Sequence, residues 1–384
     1  MSPKSKKDYL KAIAARYQKA TRKEKSQILD EFCATCGYNR KYAIRRLLSF
    51  KIQRRPRPQK KPGPPSQYDK PEILKPLQAI WLAANLPCSK RLKALLPVWI
   101  SFYQTEFDFL APRILQKPED ISASNADRLF KSFFILHTGT GRPTTKSGLL
   151  LKHHIPVKTN QWDESRPGYL EADTVAHCGT SMAGQFVFTL DLVDIATGWT
   201  EQRAVWGKGQ TDILKQIQDI ESSLPFPLLG FDSDNGDEFL NWHLVRHFQD
   251  RKKPVPFTRS RPYKKDDNAH IEQKNWTHVR QWLGYRRFDH PDLVSLLNDL
   301  YRNEWRLFLN FFLPSMKLQE KRRLGSKIIK RHDTPKTPSQ RILDSKFVSV
   351  QAKRFLKEQL KPLNPFKLRK TINDKIAKIL RLAR

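Results

Sequence analysis

The sequence predicts a multidomain α plus α/β chain of 384 residues, with helical modules first, an α/β core next and a basic helical region last. Three observations carry this. Apolar residues recur at helical spacing through the first 134 positions. From Tyr169 the pattern changes to short β-type runs that then alternate with helices. Charge is unevenly spread: residues 1–66 hold 19 Lys and Arg against 4 Asp and Glu, residues 315–384 hold 21 against 5, and residues 169–284 hold 13 against 16.

Residues 1–53 read as a helix-turn-helix domain of three short helices. Leu10, Ile13 and Tyr17 share one helical face. Thr21 and Glu24 form a capping box ahead of Ile28, Leu29 and Phe32, and Gly37 suits the stop. Asn39 caps a third helix with Tyr42 and Leu47 inward and Arg40, Lys41, Arg45 and Arg46 outward, as in a recognition helix. Residues 54–66 are a Pro-rich basic linker with nothing to build a core from. Residues 67–136 form a second helical domain, also helix-turn-helix-like, with Ile73, Leu77, Ile80 and Trp81 on one helix and Leu92, Leu95, Leu96 and Trp99 on another. A helix over 124–134 completes it. Residues 137–160, basic and with early glycines, read as a second linker.

The catalytic core is expected over 161–314. Runs at 169–177, 185–194 and 198–205 are joined by short turns and predict an antiparallel meander. A helix (211–222), a strand (228–234), a helix (238–250), a strand (255–260) and a helix (268–283) follow, and an aromatic-rich helical stretch covers 291–313. Three antiparallel strands followed by alternating helices and strands is the order of a ribonuclease-H-like fold. Residues 315–384 form a basic C-terminal helical region: a basic loop over 321–336, then helices near 339–345, 350–360 and 365–384.

Lys and Arg total 71 against 38 Asp and Glu, a net charge of +33 that makes a polyanion, double-stranded DNA first of all, the natural partner. No apolar run is long enough to span a bilayer, and no apolar signal core follows the N-terminus, so the expected setting is the cytoplasm, associated with a bacterial nucleoid and with no membrane contact. The four cysteines make no disulfide framework, and Cys33 and Cys36 lack the second ligand pair of a structural zinc site.

The carboxylates point to chemistry. Phosphodiester exchange without a protein nucleophile uses two cations roughly 3.5–4 Å apart, held by acids from several elements. One acid, Asp173, sits mid-strand, where Asp is disfavoured. A second group, Asp232 and Asp234, ends the apolar strand at Gly230-Phe231-Asp232-Ser233-Asp234-Asn235-Gly236, where residues i and i+2 share a face and geometry permits either as ligand. Glu272 opens the helix Asn268-Ala269-His270-Ile271-Glu272-Gln273-Lys274-Asn275.

Together, Asp173-Thr174, Ser233-Asp234-Asn235-Gly236-Asp237-Glu238-Phe239 and Glu272 with Lys274-Asn275 resemble, in order, the integrase core of the DDE transposases, the group that contains bacterial insertion-sequence transposases and retroviral-type integrases. The resemblance covers about residues 160–285. Sixty residues separate Asp173 from Asp234 and 37 separate Asp234 from Glu272, the latter close to the family's spacing. The chain lacks the zinc-binding His/Cys bundle of retroviral-type integrases and looks closer to insertion-sequence enzymes. The resemblance implies a transposase in which Asp173, Asp234 and Glu272 are both the catalytic residues and the ligands of two Mg²⁺ ions, with Mn²⁺ able to substitute. It implies 3′-end cleavage at a transposon end, transfer of the freed 3′-OH into target DNA, and at least a dimer on DNA. Lys264, Lys265, Lys274 and Arg280 are the candidates for holding the donor strand. Alternatives are a ribonuclease-H-like nuclease that only hydrolyses and a non-catalytic DNA-binding regulator.

Overall fold

The computed structural model describes residues 1–50, 67–68, 70–107, 110–134, 165–234, 236–259, 269–324 and 327–383. The two expected linkers, and Lys264 and Lys265, lie outside the described residues. The chain divides into two compact units, Met1–Ser66 and Gln67–Arg384.

The first unit holds α1 (Pro3–Lys19), α2 (Arg22–Cys36) and α3 (Arg40–Ser49). Local chemistry sets its helix ends. The Thr21 amide donates to the Glu24 carboxylate at 2.7 Å, Gly37 leaves α2 in the left-handed region at φ +65°, and the Asn39 side chain accepts from the Lys41 amide. Leu10, Ala14, Tyr17, Ile28, Leu29, Phe32, Cys36, Ala43 and Leu47 form its core. Tyr42, expected inward, is exposed and packs edge-on against Tyr38, because Ala43 and Leu47, one helical turn apart, already fill the inner face of α3.

The second unit begins with α4 (Pro71–Ala83), α5 (Ser89–Glu106), α6 (Pro112–Asp120) and α7 (Ala123–Phe134). It continues with β1 (Tyr169–Ala176), β2 (Val187–Asp194), β3 (Thr200–Trp206), α8 (Gln210–Ser223), β4 (Gly230–Ser233), α9 (Trp242–Gln249) and β5 (Phe257–Arg259). These strands form one sheet in the order β3-β2-β1-β4-β5. The first three pair antiparallel, whereas β4 runs parallel to β1 and β5 parallel to β4. This mixed α/β sheet is consistent with the ribonuclease-H-like core that the sequence predicts.

Next come α10 (Ala269–Lys274), a π-helical turn (Asn275–Arg280) and α11 (Gln281–Leu283), then α12 (Asp292–Leu300), a second π-helical turn (Tyr301–Trp305) and α13 (Arg306–Phe312). The two continuous helices read from the sequence thus each contain a widened turn. Strands β6 (Leu318–Leu324) and β7 (Lys327–His332) pair antiparallel where a basic loop was expected. The chain closes with α14 (Pro338–Asp344), α15 (Val350–Leu360) and α16 (Pro365–Leu382).

Residues 71–134 and 338–382 are not free-standing. Their apolar side chains join those of the sheet in one hydrophobic cluster. Trp99 of α5 is fully buried and meets Phe308, Phe312 and Phe366 edge-on, and its indole Nε1 donates to the Phe312 carbonyl at 3.3 Å. Within the sheet, strand alternation separates two faces. Phe231 and Phe257 pack on Phe248 of α9, while Glu171, Asp173, Asp191 and Asp232 fall on the face approached by α10 and its π-helical turn.

Candidate active site

Strand pairing brings two of the three expected acids together. Ala172 of β1 pairs with Ser233, the last residue of β4, so Asp173 and the next residue after β4, Asp234, come side by side, close enough for the Asp234 charge to act on Asp173. Asp173 Oδ1 accepts from the Thr174 amide at 2.7 Å, and its Oδ2 accepts from Asn275 Nδ2 at 2.6 Å. Asp234 Oδ1 accepts from the Gly236 amide at 2.9 Å, which orients its carboxylate at the strand's end. Burial, then the neighbouring Asp234 charge, raises the Asp173 carboxyl well above the usual range. Burial and the charge of Glu238 push Asp234 up to about 6. Both residues keep an edge open to solvent.

A third acid, Glu238, completes this cluster. It is 3 % exposed, accepts from Thr174 Oγ1 at 2.8 Å and pairs with Lys208, whose ammonium also lies 5.1 Å from the Phe188 ring. Its placement crowds position 236: a Cβ there would stand 2.5 Å from the Glu238 carboxylate, so any residue but glycine would require that side chain to move. Glu238 was not among the expected site residues; its place in the run that carries the family resemblance is the signal that could have found it. Lys208 lies thirty residues earlier and carries no such signal.

Glu272 does not complete a metal-holding group with these acids among the described residues. Its side chain is exposed on α10, one turn before Asn275, which does reach Asp173. Glu171, 1 % exposed, holds this helix in place by accepting from the Ile271 amide in its first turn. Among the described residues, no three His, Cys, Asp or Glu side chains are disposed to hold a metal ion. The donors that are gathered, Asp173 and Asp234, are carboxylate oxygens in mutual repulsion. Carboxylate oxygens are hard donors of the kind divalent cations take, and a cation held between these two would relieve the repulsion.

Asp232 is fully buried and accepts from Thr258 Oγ1 at 2.5 Å. The expected strand contacts fare differently. Lys274 is buried, 3.4 Å from His278 Nε2, with its ammonium pushed down to about 8 by burial, an effect that nearby Asp191 partly offsets. Arg280 donates to the Ala176 carbonyl at 2.6 Å and lies over the Tyr285 ring. Both cations, expected at a DNA strand, are turned inward, because the widened turn after Lys274 directs this helix face onto the sheet. In the first unit, Arg40, Lys41, Arg45 and Arg46 are all exposed, and Arg40 also pairs with Asp30 and donates to Ser26 Oγ.

No family model matches the chain. It is similar to a protein described as uncharacterized protein y4rM from Sinorhizobium fredii (strain NBRC 101917 / NGR234). The two are 37% identical over 337 residues, spanning 86% of this chain and 93% of that protein. Among solved structures, it matches the catalytic core domain of BIV integrase with a TM-score of 0.28 and 13% identity, over 45% of this chain and 91% of that one. That likeness is too distant to bear on fold or activity. No helix among the described residues is long and apolar enough to cross a membrane.

Proposed function

We propose, for a chain that belongs to the same family as the uncharacterized y4rM protein of Sinorhizobium fredii, a DNA transposase of the DDE type that cleaves a transposon end and joins its 3′-OH to target DNA. The observation that carries this reading is the pair Asp173 and Asp234, brought side by side by adjacent parallel strands, each partly open to solvent and each with its carboxyl raised by burial and a like charge. Such perturbed pairs cluster at functional sites. Asp173 and Asp234 would hold the divalent ions, with Glu272 as the third ligand. When bound, the ions supply charge neutralisation at the attacking and leaving oxygens. Asn275 orients the Asp173 carboxylate, and Glu238, held by Lys208 and Thr174, lies against Gly236, whose amide orients Asp234.

The four exposed cations of α3 support a helix-turn-helix reading of the first unit, in which Arg40, Lys41, Arg45 and Arg46 contact DNA. The +33 net charge supports DNA as the partner, and joining two ends in concert calls for at least a dimer. The reading is tested with purified chain, Mg²⁺ and a duplex carrying the element's terminal sequence, scored for 3′-nicked and strand-joined products. The Asp173→Asn chain should lose both products and keep DNA binding. Joining by that variant, or by the parent chain in EDTA, would sink the proposal. Nicks without joined products would leave the nuclease alternative.

A further inference from the structure

Beside α10 and its π-helical turn lies a cavity of ≈ 160 Å³. Arg91, Lys274, His278 and His332 line it, and no carboxylate appears among its described lining residues. Helix α5, eighteen residues long, begins at its wall with Cys88 at the cap and no side-chain capping bond, so the positive end of the helix and the amides of its first turn sit beside the cations. His278 is 7 % exposed, and its Nδ1 has no hydrogen-bond partner. Two consecutive non-glycine residues of the wall, Asn85 and Leu86, hold left-handed backbones at φ 62° and 56°. Such strain persists only where the surrounding structure enforces it.

We propose that this cavity is a binding site for a phosphoryl oxyanion. Two cations, Arg91 and Lys274, beside a buried imidazole nitrogen without a partner, in a recess closed by a helix N-terminus and with no carboxylate among its described lining residues, make an anion site by composition, the Asp191 charge behind Lys274 offsetting only part of that excess. Its volume matches a cavity that takes one benzene-sized molecule, and a phosphate group is of that size. The anion would accept from Arg91 and Lys274, and from His278 Nδ1 in the tautomer or charge state that carries a proton there. That supplies the partner this buried nitrogen lacks. The site does not depend on the carboxylate pair: Asp173→Asn should bind phosphate as the parent does. Two sources share this chemistry, a free phosphate compound and the terminal phosphate of a DNA strand.

The test uses the full chain and inorganic phosphate, titrated by calorimetry against chloride at matched ionic strength. Saturable binding is expected, and Arg91→Gln should weaken it by about tenfold, the worth of one charge-assisted hydrogen bond. Because that variant also takes a side chain out of the cavity wall, a second measurement uses the parent chain alone. Cys88, which lines the cavity, should be alkylated more slowly when phosphate is present, with the site identified by peptide mass spectrometry. Protection by inorganic phosphate but not by a 5′-phosphorylated oligonucleotide assigns the site to a free compound. Protection by the phosphorylated strand but not by its unphosphorylated twin assigns it to a strand end. No saturation above chloride, with Cys88 equally reactive throughout, overturns the proposal.

Discussion

At Asp232 and Asp234 the chain places two acids on one strand end and uses them differently. Asp232 is sealed from solvent and bonded to Thr258, whereas Asp234 faces an open edge, is oriented by the Gly236 amide and comes beside Asp173. Asp234→Asn should therefore cost several orders of magnitude in strand joining, and Asp232→Asn should keep measurable joining, because an amide oxygen still accepts from Thr258. The comparison is made by product yield at equal folding by circular dichroism, and the reverse ranking would exchange the two roles. Asp191 is a different case. Burial holds its carboxyl up to about 7 despite hydrogen bonds from Gln202 and Thr200. The folded chain then keeps a proton that the unfolded chain releases at about 3.9, so this residue lowers stability progressively as pH rises from about 4 to about 7, with no further change above. Asp191→Asn should gain on the parent chain across that window. Melting temperatures at both ends of it check this, and an unchanged difference between the two chains would contradict it.

Helix α5 shows how the elements of the second unit depend on one another. Trp99 sits among Phe308, Phe312 and Phe366, from two other elements, and is 1 % exposed. Trp99→Ala should destabilise the unit by about 3–5 kcal/mol, and the loss should appear in one cooperative urea transition, since these helices share the sheet's core. Two separate transitions would mean that residues 71–134 fold by themselves. The helical phase of α4 and α5 was legible because Ile73, Leu77, Ile80 and Trp81, and likewise Leu92, Leu95, Leu96 and Trp99, repeat at helical spacing. Whose aromatics Trp99 meets was not legible, because Phe312 and Phe366 lie more than two hundred residues on and local spacing carries no tertiary partner. The widened turns after Lys274 and Leu300 were hidden for the same reason: the apolar pattern of a helix survives one extra residue per turn. Asp173 and Asp234 were legible because an acid is costly on an apolar strand. The inward turn of Lys274 was not, since the charge that offsets its burial is Asp191, on a strand eighty-three residues earlier.

For the whole molecule, the uneven charge and the two cores make a joint prediction. The first unit closes its own hydrophobic cluster, from Leu10 to Leu47, and none of those residues belongs to the cluster of the second unit. Removing residues 1–66 should thus leave the remainder folded, with a melting transition like that of the parent chain. The same deletion removes a net charge of +15, including the exposed Lys41, Arg45 and Arg46 of α3. For every DNA phosphate that the shortened chain no longer touches, the slope of log affinity against log salt should flatten by about 0.9, because fewer condensed counterions are released on binding. If α3 reads the terminal sequence, the affinity for that sequence should fall much further than the affinity for random duplex, since base contacts disappear together with phosphate contacts. Fluorescence anisotropy on both duplexes at several salt concentrations measures the two effects separately. A flatter slope with an equal fall on both duplexes would make the first unit a non-specific clamp, and an unchanged footprint on the terminal sequence would assign recognition to residues 67–384.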